Sequence, residues 1–182
     1  MIPLVIACTA VDPSETTTSC PRYSGFAEVG TSWSWEDASG GAWTETLDRF
    51  EDGGPVVVQD DETWWRYRCD DDGLFLVESL AGTATTTYEP PALILPASVA
   101  EGDAWSSDQT ASTRDAGGEA SVRTTTVQYS ATGSEELETA AGTFSTLYLV
   151  LLDENGTATE EWREADAGRV GRTGATLTGY SP

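Results

Sequence analysis

One kind of side chain that usually carries catalysis is missing: the 182 residues include no histidine. Without imidazole there is no Ser-His-Asp or Cys-His arrangement, and the commonest general base near neutral pH is gone. The three cysteines, Cys8, Cys20 and Cys69, contain no Cys-x-x-Cys pair, so neither a zinc cluster nor a thioredoxin-type motif is written here. No phosphate-cradling glycine loop occurs; Gly168-x-x-Gly171-x-x-Gly174 has no helix pattern behind it and reads as a bend. Carboxylates are plentiful, and two of them flanking a sugar could hydrolyse a glycoside. With 31 acidic residues, spacing singles out no such pair. Asp70-Asp71-Asp72-Gly73 offers hard oxygens of the kind calcium takes, but it lacks the twelve-residue loop and closing Glu of an EF-hand and reads as a solvated turn. The expectation is a protein without catalytic residues, metal or cofactor.

Binding is what the residue types favour. The chain has seven Trp. Trp33, Trp35, Trp43, Trp64, Trp65 and Trp105 could stack on sugar rings, as in a carbohydrate-binding module, or pack a β core, where aromatic side chains bury large areas. Trp64, Trp65, Tyr67, Tyr148 and Trp162 are the candidate contacts for a ligand. A hydrophobic ligand or a partner protein is the first reading, and a carbohydrate the second. Charge narrows the partners further. The formal net charge is -22, and all nine basic residues are Arg. Such a polyanion is repelled by nucleic acid and by anionic lipid headgroups, so a nucleic-acid role is excluded.

The elements that must position these side chains are strands. Phe144–Leu152 has no Gly, Pro or charge, and apolar side chains occupy both of its alternating faces, as in a central strand covered on both sides. Trp43, Glu45, Leu47 and Arg49 share one parity in an earlier strand. Trp64–Cys69 and Leu74–Leu80 flank the Asp70–Gly73 turn as a hairpin, and Asn155-Gly156 closes another. Tyr88–Pro96 contains three Pro, which remove ladder donors, so it reads as an extended connector. No helical pattern of ten residues occurs. The fold class is all-β: one domain, with a single antiparallel sheet of about ten strands.

The order Pro96, Gly102-Asp-Ala-Trp105, Ala141-Gly-Thr-Phe144, Trp162 and Gly168-Arg-Val-Gly171 resembles bacterial envelope lipoprotein families, relatives of the LolA/LolB-type half-barrels. The resemblance covers residues 90–175. It implies a curved sheet, a half-barrel or open barrel, whose concave face can hold acyl chains. Val5-Ile6-Ala7-Cys8 likewise resembles a lipobox, which implies that residues 1–7 are a signal-peptide remnant and that Cys8 carries the lipid. On that reading residues 8–25 form the attachment Cys and a tether, and residues 26–182 the β-domain. The address is the cell envelope, on the outer membrane where there is one, because Thr9 is not the Asp that resembles an inner-membrane retention signal. Lipidation of Cys8 would leave Cys20 and Cys69 to pair, the alternative being two separate thiols.

Overall fold

A computed structural model describes residues 20–59 and 63–182. The described residues form twelve strands and no helix: β1 (Ser32–Asp37), β2 (Ala42–Glu51), β3 (Gly54–Gln59), β4 (Trp64–Asp70), β5 (Gly73–Ala81), β6 (Ala84–Pro96), β7 (Ala104–Arg114), β8 (Ala120–Thr139), β9 (Gly142–Leu152), β10 (Ala158–Glu164), β11 (Gly168–Arg172) and β12 (Ala175–Ser181). Every strand pairs antiparallel with its sequence neighbour, and β12 returns to pair with β1 from Ser32↔Ser181 to Asp37↔Ala175. The expected single antiparallel sheet is therefore present, and it closes into a barrel. Closure needs strong twist and coiling, which bulged residues supply. Register shifts fall at Ser34/Trp35, Leu47/Arg49, Arg66/Tyr67, Ala131/Gly133 and Trp162/Arg163.

Two segments behave differently from their sequence reading. Tyr88–Pro96 is part of strand β6 rather than a connector. β6 pairs with β5 at Thr87↔Glu78 and again at Ala92↔Leu76, so residues 88–91 bulge out of the β5 ladder while Tyr88 still pairs with Ala111 of β7, and Pro90 and Pro91 are spared from donating to β5. Gly168–Arg172 is a strand rather than a bend. Gly168 has φ +72°, and a Cβ there would lie 2.5 Å from the Ser24 carbonyl oxygen, so the glycine lets another stretch of backbone lie against it.

That other stretch is the end of the expected tether. Cys20 is bonded to Cys69 at a Cα–Cα distance of 5.0 Å. Pro21, Ser24 and Gly25 are buried, and Phe26 packs on Tyr67 with ring centroids 5.2 Å apart. Arg163 Nη1 donates to the Tyr23 carbonyl at 3.4 Å. Residues 20–25 thus belong to the packed barrel; residues 8–19 lie outside the described residues.

Because the strands alternate in direction, the connections sort to two ends. One end carries the β2–β3, β4–β5, β6–β7, β8–β9 and β10–β11 connections and the plugging segment 20–31. The other carries the β1–β2, β3–β4, β5–β6, β7–β8, β9–β10 and β11–β12 connections. Inside, Trp33, Trp35, Leu47, Val57 and Leu177 form one core cluster, and Cys69, Leu74, Leu95, Leu147 and Leu149 a second. β9 turns Leu147 and Leu149 inward, while Tyr148 on its other face stacks on Trp162.

Candidate functional site

Strand alternation sends Trp33 and Trp35 of β1, Glu45 and Leu47 of β2, Val57 of β3 and Trp65 and Tyr67 of β4 into the barrel. There the two core clusters do not meet completely, and they leave a cavity of about 230 Å³. Its floor is Ser24 and Phe26 of the plugging segment. One side is apolar, formed by Val57, Leu74, Leu76, Ile94 and Leu151. The opposite side is charged, formed by Glu45, Glu161, Arg163 and Arg169. Trp33, Trp35, Trp65, Tyr67 and Tyr129 complete the wall.

The charges form a continuous row. Trp43 Nε1 donates to Glu45 Oε1 at 3.3 Å. Arg169 Nη2 donates to both Glu45 oxygens at 3.2 Å, and its Nη1 lies 3.7 Å from Glu161 Oε1. Arg163 donates to Glu161 Oε2 through Nε at 3.0 Å and Nη2 at 2.8 Å. Buried charges are tolerated only when paired in this way. Burial alone would raise the Glu161 carboxyl, but Arg163 and Arg169 outweigh it and hold that carboxyl below the usual carboxylate range. Burial would likewise lower Arg169, and the facing Glu45 and Glu161 more than reverse it. Arg172 pairs across the sheet with Glu161 and extends the row toward the β11–β12 connection. Its guanidinium lies 6.0 Å from the Trp35 ring centroid and 5.1 Å from that of Trp43. Burial, and then Arg169, depress its pKa. Tyr67, deep in the wall, is pushed up to about 12 by burial.

Of the five aromatic residues singled out from the sequence, Trp65 and Tyr67 line this cavity. Trp64, with the opposite parity on β4, borders a surface depression among Arg49, Glu51, Arg66 and Glu78. Tyr148 and Trp162 stack on each other 5.2 Å apart; Tyr148 donates to Glu160, and Trp162 to Glu135. The structure therefore brings two of the five together and leaves three elsewhere. Cys8 lies outside the described residues. Asp70 accepts from the backbone N–H groups of Asp72 and Gly73 within its own turn. The charged row is absent from the sequence reading. Its one visible signal is Glu45, which shares parity with Trp43 and Leu47 in an otherwise inward set.

No protein-family model matches the chain, and no curated protein matches it in sequence. Solved structures do match its fold. One is described as an exported-protein candidate with a YmcC-like fold, from Bacteroides fragilis; it is 13% identical, with a TM-score of 0.55 over 90% of this chain and 100% of that one. Another is the hypothetical lipoprotein YmcC from Escherichia coli, 11% identical, with a TM-score of 0.51 over 84% of this chain and 85% of that one. At these identities the likeness is one of fold, and the chain has a YmcC-like fold.

Proposed function

We propose that this chain is a non-enzymatic, lipid-anchored protein of the cell envelope whose barrel interior binds a small hydrophobic ligand. The observation that carries the reading is the cavity itself, apolar on one side, aromatic around its wall and closed below by Phe26. At about 230 Å³ it falls somewhat short of the roughly 300–1,000 Å³ usual for drug-sized ligands, which favours a short chain over a whole lipid. The lipobox at Val5–Cys8, the YmcC-like fold and the LolA/LolB-type resemblance support the anchor and the compartment. Glu161 supports a binding role over hydrolysis: a general acid needs a raised pKa, and two guanidinium groups lower this one. All seven Trp are buried or half-buried, which favours the interior over a sugar platform on the surface.

The test is binding of an environment-sensitive hydrophobic dye. One dye should bind per chain and be displaced by short fatty acids. Trp65→Ala should weaken binding, and Trp64→Ala, outside the cavity, should not. Binding that is weak and non-stoichiometric, or equally affected by both substitutions, overturns the reading.

A further inference from the structure

The interior row does not balance its own charge. Arg163, Arg169 and Arg172 face Glu45 and Glu161, which leaves one positive charge inside a chain whose net charge is -22. The cation without a direct ion pair is Arg172. Among the described residues no carboxylate lies within ion-pair distance of it; Glu45 and Glu161 act on it only at longer range, and it rests on the rings of Trp35 and Trp43. Two further donors are buried without an acceptor, Nε1 of Trp35 and Nε of Arg169. Arg169 lies 5.4 Å over the same Trp35 ring, so these groups are neighbours on one wall. An unmet buried donor is costly, and a wall of unmet donors with spare positive charge calls for an anionic acceptor. Carboxylate matches guanidinium geometry, and Val57, Leu74, Leu76, Ile94 and Leu151 give the same cavity an apolar side.

We propose that the cavity wall formed by Arg169 and Trp35, with Arg172 adjoining it against the Trp35 ring, holds the carboxylate of a short-chain monocarboxylic acid, whose tail lies against Val57, Leu76 and Leu151. This assignment rests on the interior-binding reading above and names the ligand's head group.

Octanoate and octan-1-ol, titrated by calorimetry and by dye displacement, separate the two ideas. Octanoate should bind about tenfold or more tighter than the alcohol, the usual worth of a charge-assisted hydrogen bond. Arg172→Gln should erase that preference while leaving alcohol affinity and melting temperature unchanged. Trp35→Phe, which keeps the ring and removes the donor, should reduce the preference in part. Equal affinities, or a preference that survives Arg172→Gln, overturn the head-group assignment while the cavity reading stands. If neither compound binds or displaces dye, both fall together.

Discussion

Cutting the Cys20–Cys69 bond should cost this barrel a large share of its stability. The bond spans a sequence separation of 49, which the chain-entropy model converts to about 4 kcal/mol of restriction on the unfolded chain. In the folded state little should change. The plugging segment has other attachments: Phe26 on Tyr67, the Arg163 hydrogen bond to the Tyr23 carbonyl, and Gly25 against the Ala167–Gly168 backbone. The double substitution Cys20→Ser/Cys69→Ser should therefore keep its near-ultraviolet circular dichroism at 25 °C. For a domain of this size each kcal/mol moves Tm by roughly 2–4 °C, so the midpoint should fall by about 8–16 °C. A reducing agent added to the native protein should give the same shift. A midpoint that moves by less than about 2 °C would refute the reasoning, because a cross-link that long cannot restrict the unfolded chain for nothing. Two titratable thiols in the oxidised native protein would refute the bond itself.

Glu161→Gln should destabilise the barrel by about 3 kcal/mol at neutral pH, since removing one partner leaves the buried guanidinium of Arg163 unpaired. The folded carboxyl is depressed, so its stabilisation is present above the ordinary carboxylate pKa and is lost as pH falls through the lower folded value. Melting curves of the two proteins should converge in acid, and a gap that persists there contradicts the pairing. On the proposed anchor, Cys8→Ser should move the protein from the membrane to the soluble fraction on fractionation. Parent protein that is already wholly soluble would remove the anchor.

Much of the strand pattern is legible in the sequence because turn chemistry is local. Asp70–Gly73 and Asn155-Gly156 mark hairpins whatever surrounds them. Closure is not local. It depends on β1 meeting β12 after the intervening strands have twisted and bulged, and no residue in either strand announces the other. The prolines of β6 mislead for a related reason: they remove donors, and the two-sided pairing around residues 88–91 makes those donors unnecessary. The interior row is hidden because alternation says which residues share a face but not which face is inside. At Glu45 and Arg49 the parity is the same, and the Leu47/Arg49 bulge sends one inward to Arg169 and the other outward to Asp48 and Glu51. Trp64 and Trp65 divide by plain alternation, yet adjacency in sequence makes them look like one site.

The plug gives the barrel a polarity. The chain enters beside Cys20, at the end that segment seals, and Arg172 and Trp43 stand toward the other. Anything that holds the protein by residues upstream of Cys20 holds it by the sealed end. On the proposed lipid anchor at Cys8, the attachment would reach the barrel at its plugged end, with Arg172 and Trp43 at the opposite end.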